Sequence, residues 1–352
     1  MSLSKAEQQQ YNRHLILDEI GELGQLKLKK AKVLVIGAGG LGCPILQYLT
    51  AAGVGTIGII DHDKIEQSNL QRQVLYSHDD IGDFKAEVAA NKLSDLNPYV
   101  NFEIYLQRLN NEIAVDLFLK YDVIVDGSDN FPTRYLVNDA AILTNKPVVF
   151  GSIFKFEGQV SVFNYNNGPS YRCLYPNPPK SEDVPNCSEI GVLGVLPGII
   201  GSLQANEVLK LVLGIGEVLS GKLLTYNALN MQQLILSFEK NEDIKITHLE
   251  NDYEFFCGLS KMSLEITKNE LENNLNSYNL LDVREVYERD QYHIGGIHIP
   301  LGELNSRKLE LPVDKDLVVY CKAGVRSKIA IKKLQEYFPK KLLNLKNGLV
   351  NF

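Results

Sequence analysis

Short apolar runs rich in β-branched residues recur along the first 245 residues, and amphipathic stretches with helical spacing lie between them. The apolar runs predict strands at residues 32–37, 56–61, 100–105, 122–127 and 147–152, followed by an antiparallel pair at 158–165 and 222–229. The amphipathic stretches predict helices at residues 45–53, 85–97, 133–144 and 201–213. This alternation predicts an α/β fold, with a mostly parallel sheet that carries helices on both faces.

The pattern changes twice further along the chain. Residues 175–186 are rich in proline and predict a long exposed loop. The polar stretch 246–262 predicts a linker, and a second, smaller α/β pattern begins at residue 263. Its predicted elements are apolar runs at 279–285 and 342–348, a strand at 317–321 and a helix at 326–337. The sequence therefore predicts two domains, 1–245 and 263–352.

One uncharged stretch, Val33–Ile60, is long enough to cross a bilayer. It contains seven glycines, however, and its pattern passes from a strand through a glycine turn and a helix to a second strand. A helix that spans lipid does not carry such breaks. Neither a membrane segment nor a membrane partner is therefore expected.

Composition narrows the possible classes of protein. The chain has 36 Lys and Arg against 43 Asp and Glu, and its net charge of −7 disfavours binding of nucleic acid by charge. The N-terminal segment, Met1–Gln10, has no apolar signal core, and five cysteines are few for 352 residues. These features predict a cytoplasmic protein, in which a functional cysteine is reactive rather than bridged.

A glycine motif of the form G-x-G-x-x-G directly follows the first predicted strand and opens the first predicted helix. It consists of Gly37, Gly39, Gly40 and Gly42. Glycines let the backbone approach a phosphate, and the helix N-terminus offers unpaired N–H groups. Asp61 ends the next strand, 19 residues after Gly42, where a carboxylate can bind ribose hydroxyls. The pattern predicts a Rossmann-like nucleotide site.

Polar and charged residues after the glycine motif favour a nucleoside triphosphate over a dinucleotide. Several cations and a loop carboxylate suit a triphosphate with Mg²⁺, because charge develops on the α-phosphate and on the departing pyrophosphate. Hydride transfer has no use for such a group of charges. The candidate binding residues are Asp61, Asp63, Ser68, Asn69, Gln71, Arg72, Lys85, Asp129 and Asn130, with Arg13 upstream.

These residues resemble the ubiquitin-activating-enzyme-like family, and most of all its bacterial adenylyltransferases that activate sulfur-carrier proteins. The resemblance rests on YNRHLIL, GAGGLG, SNLQRQ, Lys85 and SDN, and it covers about 240 residues. It implies ATP held by the glycine motif, Asp61, the SNLQR segment and Lys85, and Mg²⁺ bound by Asp129. It also implies a homodimer in which Arg13 reaches the partner's site. We expect Arg72, Lys85 and Arg13 to act in catalysis.

The cysteines of the first domain have different expected roles. Cys187 follows the proline-rich loop, and in the resembled family this position is a thiol that forms a thioester or disulfide with the carrier. Here both that use and a spectator role stay open. The family also holds a structural zinc with two Cys-x-x-Cys pairs, whereas only Cys173 and Cys257 remain here. Zinc is therefore not expected, since a tetrahedral site needs four good donors. Cys43, in a predicted helix, is expected in the core.

The second domain carries its strongest signal at Cys321, where a predicted strand ends and the loop CKAGVRS begins. The loop residues Cys321, Lys322, Gly324, Arg326 and Ser327 are expected to surround the sulfur with N–H groups and a cation, which stabilise a thiolate and a persulfide. Together with LLDVRE and YHIGGIHIPL, this loop resembles a rhodanese-like sulfurtransferase domain over about 90 residues.

The two resemblances together imply one sequence of reactions. The first domain would adenylate the C-terminal glycine of a ubiquitin-like sulfur carrier that ends in Gly-Gly. Cys321, loaded with sulfur by an upstream persulfide donor such as a cysteine desulfurase, would then help to form a thiocarboxylate. Molybdopterin, thiamine and tRNA thiolation pathways would all use this chemistry, with the molybdopterin type preferred. An NAD-dependent dehydrogenase and a non-catalytic carrier-binding scaffold are the alternatives.

Overall fold

The carboxyl ends of parallel strands meet at one edge of the main sheet, and this arrangement places the candidate site. The computed structural model describes residues 2–179, 191–258, 264–335 and 337–351. It divides into two units, Met1–Cys257 and Gly258–Phe352. In the described part of the first unit the sheet order is β3-β2-β1-β4-β5-β6-β7-β8. These strands are β1 (Lys32–Ile36), β2 (Thr56–Ile60), β3 (Asn101–Tyr105), β4 (Val123–Asp126), β5 (Val148–Phe154), β6 (Glu157–Phe163), β7 (Lys222–Asn227) and β8 (Gln232–Ser237).

Strands β1 to β5 are parallel to one another, and β6 to β8 extend the sheet in antiparallel fashion. The predicted Rossmann-like α/β class and the predicted antiparallel pair, now β6 and β7, are thus confirmed. The last strand, β8, is exposed along its whole length. The helices of the first unit are α1 (Lys5–Gln10), α2 (Asn12–Leu15), α3 (Gly21–Lys30), α4 (Gly42–Ala52), α5 (Lys85–Leu96), α6 (Ala114–Phe118), α7 (Phe131–Thr144), α8 (Tyr171–Leu174), α9 (Leu196–Leu213) and α10 (Tyr253–Phe256).

Helices cover both faces of the sheet because the side chains of a buried strand alternate between its faces. In β1, Val33 and Val35 join a core with apolar residues of α4, α5 and α9. Leu34 and Ile36 join a second core with residues of α6 and α7. Strand β1 therefore has to be apolar at the four successive positions from Val33 to Ile36, which explains why the sequence pattern showed it so clearly.

The first unit extends further than the sequence pattern indicated. Residues 246–262 read as a linker because they are polar, but the part up to residue 257 packs with the first unit. There Tyr253 and Cys257 are buried in the same core as α7. The predicted proline-rich loop is described only to residue 179, and its remainder lies outside the described residues.

The second unit has a separate parallel sheet, with the order β11-β10-β12-β13-β9 within the described ranges. Its strands are β9 (Leu264–Ile266), β10 (Tyr278–Asp282), β11 (Ile297–His298), β12 (Asp316–Tyr320) and β13 (Leu342–Leu345), and its helices are α11 (Lys268–Asn273), α12 (Val286–Gln291), α13 (Leu304–Arg307) and α14 (Val325–Leu334). Apolar clusters lie on both faces of this sheet. Across the described residues of both units, every helix is too short or too polar to cross a membrane.

Candidate active sites

A cavity of about 770 Å³ opens where β1, β2 and β4 end. Strand β1 lies between β2 and β4 in the sheet. The connections at the carboxyl ends of these strands run to opposite sides, which leaves a crevice at the end of β1. The cavity brings together most of the predicted nucleotide-binding residues. Those that line it are Gly37, Gly39, Gly40, Asp61, Asp63, Ser68, Asn69, Gln71, Arg72, Lys85, Asp129 and Asn130.

The glycine turn is folded so tightly that two of its positions have no room for a side chain. A Cβ on Gly42, the first residue of α4, would lie 2.1 Å from the Gly37 carbonyl oxygen. Gly37 itself has a φ of +90°, and its Cβ would lie 3.0 Å from the Gly127 carbonyl oxygen. By contrast, a Cβ on Gly39 would meet only the Gln73 amide, at 3.5 Å. Gly42 thus shapes the turn from behind, while Gly39 lies at the cavity.

Asp61 connects the end of β2 to this turn. One carboxylate oxygen accepts a hydrogen bond from the Ala38 N–H at 2.7 Å, and the other accepts from the Asp63 N–H at 2.7 Å. Burial raises the pKa of Asp61, and the two N–H groups act in the opposite direction by stabilising the charged form. Each oxygen keeps a further lone pair, so the carboxylate can also accept hydrogen bonds from ribose hydroxyls.

Two predicted cations reach the cavity from different elements. Lys85 begins α5, and its buried ammonium lies 2.9 Å from the carboxylate of Asp63, which is half exposed. Arg72 donates a hydrogen bond to the Ser68 carbonyl oxygen at 3.1 Å, and its side chain passes close to Gly40. Both cations are therefore held by local partners beside the glycine turn, where a triphosphate would lie.

Asp129 and Asn130 follow the end of β4. Asn130 caps α7, because its side-chain oxygen accepts a hydrogen bond from the Thr133 N–H at 3.0 Å. Asp129 lines the cavity beside it. Its carboxylate is the hard oxygen donor that Mg²⁺ prefers, and Mg²⁺ commonly uses one or two carboxylates together with substrate phosphates. The residues present thus fit a magnesium ion that arrives with a nucleotide.

Further residues of the cavity were not predicted from the sequence. Arg134 is the clearest, because its guanidinium stacks on Phe131 at 5.3 Å and on Phe150 at 5.6 Å. Burial raises the pKa of Asp126, and the nearby Arg134 cation opposes that effect. The sequence signal that could have identified Arg134 is its position four residues after Asn130, which places it on the face of α7 toward the cavity. The lining has six cations, Lys64, Arg72, Lys85, Arg108, Arg134 and Lys155, against four acids, Asp61, Asp63, Glu66 and Asp129.

The charge of this lining is opposite to that of the whole chain, whose net charge is −7. A polyanionic ligand is therefore favoured in this cavity of an acidic protein.

Two predicted residues do not line the cavity. Gly42 lies behind the turn, and Arg13 is exposed on α2.

In the second unit, Cys321 follows β12 and is buried, 1% exposed. The Gly324 N–H donates a hydrogen bond to its sulfur at 3.2 Å, and the Ser327 hydroxyl oxygen lies 3.4 Å away. Burial alone raises the pKa of the Cys321 thiol, but the Ser327 hydroxyl and the N–H groups of Ser327, Ala323 and Gly324 outweigh it and lower the pKa. The loop therefore favours a charged sulfur, as expected from its sequence.

Arg326 is oriented differently from the expectation that it faces an anion in the loop. Its two terminal nitrogens each lie 2.6 Å from a carboxylate oxygen of Glu288, on α12. Lys322 is exposed, and Gly324, with a φ of +84°, caps the start of α14. Asp282 and Arg284 form a buried bidentate pair at the end of β10.

The two cysteines expected as remnants of a zinc site have different surroundings. The Cys173 sulfur accepts hydrogen bonds from the N–H groups of Ser170 and Asn241, at 3.3 and 3.4 Å. Burial raises the pKa of Cys257 to about 12. Among the described residues, the one group of three or more metal-donor side chains is Asp61, His62 and Asp63, far along the chain from these cysteines. The corner does not fit zinc.

A buried polar network connects the elements at this corner instead. Arg172, beside Cys173, makes two 2.7 Å hydrogen bonds to the carboxylate of Asp139 on α7. The Tyr253 hydroxyl donates to the same carboxylate at 2.7 Å. The Arg172 guanidinium also stacks on Phe256 at 4.5 Å. These contacts join α7 to α8, which contains Cys173, and to α10, which ends just before Cys257.

Of the two remaining cysteines of the first unit, the structure describes one. Cys43 is buried in α4, as expected, and burial raises its pKa to about 12. Cys187 lies outside the described residues. All four described cysteines are free thiols.

Two family models match the chain, one in each unit. The ThiF family model matches residues 11–246, and the rhodanese-like domain model matches residues 267–352. Both sites described above lie within these matched ranges.

Curated relatives are similar over most of their length. The probable adenylyltransferase/sulfurtransferase MoeZ of Mycobacterium tuberculosis is 46% identical, over 99% of this chain and 93% of the relative. The sulfur carrier protein adenylyltransferase of Thermus thermophilus is 51% identical, over 74% of this chain and 100% of the relative. The probable molybdopterin-synthase adenylyltransferase of Porphyra purpurea is 41% identical, over 98% and 93%.

Solved structures agree on the fold. The crystal structure of E. coli MccB with MccA-N7isoASN has a TM-score of 0.61 over 69% of this chain and 75% of that chain. The two are 23% identical, so this likeness concerns the architecture alone.

Substitution of single glycines should separate the shape of the turn from the binding of a nucleotide. Gly42→Ala should lower the melting temperature, because its Cβ would overlap the Gly37 carbonyl group. Gly39→Ala should melt like the wild type but bind ATP more weakly, since its Cβ meets open cavity and the Gln73 amide. Thermal melting with and without ATP measures both effects. Equal melting temperatures for the two variants would contradict this account.

Removal of the buried charge at the cysteine corner should destabilise the protein, whereas a chelator should not. Asp139→Asn removes the carboxylate that makes two hydrogen bonds to the buried Arg172 and leaves it only Glu250, at 4.0 Å, which costs about 3–5 kcal/mol. Chemical denaturation should show this loss, and Asp95→Asn, at an exposed site on α5, should change little. The wild-type melting temperature should be the same with and without EDTA. A large drop with EDTA would mean that a metal holds this corner.

The rate of alkylation of Cys321 should depend on pH in a way that reports its lowered pKa. Because a lower pKa gives more thiolate at neutral pH, iodoacetamide should react at a pH where ordinary thiols are mostly protonated. Ser327→Ala should raise the pKa and slow the reaction at pH 7 by about tenfold per pKa unit. Ser306→Ala, an exposed serine in the same unit, is the control, and Cys321→Ala gives the background from other cysteines. An unchanged profile in Ser327→Ala would contradict the assignment.

Proposed function

Because the chain belongs to the ThiF family and continues into a rhodanese-like domain, we propose that it converts the C-terminal glycine of a ubiquitin-like sulfur carrier into a thiocarboxylate. The chain is an adenylyltransferase with sulfurtransferase activity, in common with the MoeZ relative that it matches almost from end to end. The observation that carries the proposal is a cation-rich cavity that unites twelve predicted residues.

The first step is adenylation of the carrier. Its C-terminal carboxylate attacks the α-phosphate of ATP, the bond to the β-phosphate breaks, and pyrophosphate leaves. The residues need only hold the reactants in line and neutralise the charge that develops. Arg72 and Lys85 would balance the phosphates, the glycine turn would donate N–H groups to them, and Asp61 would bind the ribose. Mg²⁺ held by Asp129 would supply further charge neutralisation.

The second step transfers sulfur. The terminal sulfur of a persulfide on Cys321 attacks the carbonyl carbon of the acyl-adenylate, and AMP leaves. A second thiol then attacks the Cys321 sulfur, which releases the carrier thiocarboxylate and forms a disulfide. Cys187 is the candidate for this second thiol, and a cellular thiol would reduce the disulfide before the next cycle.

The partners follow from this chemistry. The carrier ends in Gly-Gly, a persulfide donor such as a cysteine desulfurase loads Cys321, and the pathway is of the molybdopterin type. The chain would act as a cytoplasmic homodimer, with Arg13 completing the partner's cavity. The exposed position of Arg13 outside its own cavity supports this, as do the exposed apolar side chains of Ile16 and Leu23 beside it.

Exchange of pyrophosphate into ATP tests the adenylation step. A small ubiquitin-fold protein ending in Gly-Gly should be required, and Lys85→Ala or Arg72→Ala should slow exchange roughly a hundredfold, as for other charges that stabilise a transition state. Cys321→Ala should keep exchange but abolish the thiocarboxylate. ATP should raise the melting temperature, whereas NAD⁺ should not. Exchange without any carrier would contradict the proposal.

A further inference from the structure

The ion pair between Arg326 and Glu288 changes what the Cys321 loop can bind. Both terminal guanidinium nitrogens are taken by the two carboxylate oxygens, each at 2.6 Å. The pair is largely shielded, with 32% of the Arg326 side chain and 14% of the Glu288 side chain exposed. The Arg326 guanidinium lowers the pKa of Glu288 to about 2, so the carboxylate stays charged at any physiological pH.

The position of Glu288 is fixed from its own helix as well. It lies in the first turn of α12, and its carboxylate also accepts a hydrogen bond from the Glu285 N–H at 3.1 Å. The carboxylate is thus held between a helix terminus and Arg326. Arg326 in turn lies in the first turn of α14, one residue before Ser327. Glu288 therefore determines the direction of a guanidinium that interacts electrostatically with Cys321.

The remaining groups around Cys321 are suited to one charge on sulfur. They are N–H groups of the loop and the Ser327 hydroxyl. An oxyanion with two charges, such as thiosulfate, is usually bound by a free guanidinium, which presents two parallel N–H donors. Here one N–H of each terminal nitrogen already meets a carboxylate oxygen, so the outward fork of the guanidinium is occupied and the pair as a whole is neutral. A persulfide needs no such fork, because its charge lies on one terminal sulfur.

We propose that Glu288 is a specificity-determining positioning residue, which holds Arg326 so that Cys321 accepts sulfur from persulfides in preference to doubly charged oxyanion donors. This inference rests on the proposed function, because it concerns how Cys321 is loaded. In the favoured reaction the Cys321 thiolate attacks the outer sulfur of a donor R–S–SH. The donor S–S bond breaks, Cys321 becomes Cys–S–SH, and the donor leaves as the thiolate R–S⁻.

The disfavoured reaction has the same form with a different leaving group. The thiolate attacks the outer sulfur of thiosulfate, the S–S bond breaks, and sulfite leaves with both of its charges. The thiolate and thiosulfate together carry three negative charges, and Glu288 offsets the positive charge of Arg326 that would otherwise balance part of them. Glu288 also binds the Arg326 guanidinium, which would otherwise stabilise the departing sulfite.

The test measures loading of Cys321 in the full chain, without ATP or carrier, from cysteine persulfide and from thiosulfate. Glu288→Gln removes the charge but keeps an oxygen that can accept from the Glu285 N–H. It should lower KM for thiosulfate roughly tenfold, with KM for cysteine persulfide changed less than twofold. In this variant KM for thiosulfate should also rise with added salt, because a freed charge is screened.

Matched variants keep the result free of folding effects. Asp290→Asn removes the same charge from an exposed position on the same helix and should behave like the wild type. Glu288→Asp keeps the charge and should retain the high KM for thiosulfate. An equal KM change for both donors, or none for thiosulfate, would overturn this inference alone. If neither donor loads Cys321 of the wild type, the proposed sulfur transfer fails, and this inference fails with it.

Discussion

The close approach of the backbone at Gly37 and Gly42 is the constraint on which the nucleotide cavity depends. Since Gly42 has no side chain, α4 can begin directly against the Gly37 carbonyl group. The turn is then short enough for the Ala38 N–H to reach Asp61 at the end of β2. Gly37 likewise lies against Gly127, which leads to Asp129. Three strand ends are thereby held together, and the cations of α5 and of the segment before it are brought to one place.

The pKa of the cysteine thiol is shifted in opposite directions at different places in this chain. Cys43 and Cys257 lie in the apolar cores, where burial outweighs their few polar neighbours and disfavours a charge on sulfur. Cys321 is as deeply buried, but its neighbours are N–H groups and a hydroxyl aimed at the sulfur. Burial therefore does not determine reactivity by itself. What matters is whether the backbone supplies dipoles to replace the water that burial removes.

The sequence predicted those features whose causes lie in residues that are neighbours along the chain. Strand β1 is apolar at successive positions because both of its faces are covered, and the glycine turn has a spacing that few other structures require. Helices α1 to α3 escaped prediction because α3 contains two glycines and a mostly polar surface. Tyr253 was placed in a linker because its stretch is polar, and only the tertiary bond to Asp139 reveals its burial. Arg326 could not be oriented for a similar reason, since its partner Glu288 is 38 residues away.

The Ser327 hydroxyl has a single hydrogen but two neighbours that can accept it. One is the Cys321 sulfur, at 3.4 Å, and the other is the side-chain oxygen of Asn344 on β13, at 2.6 Å. The hydroxyl donates to Asn344 at the shorter distance, and an ionised sulfur competes with Asn344 for the same hydrogen. A charge on the Cys321 sulfur is thus coupled, through one hydroxyl group, to a side chain of the neighbouring strand β13.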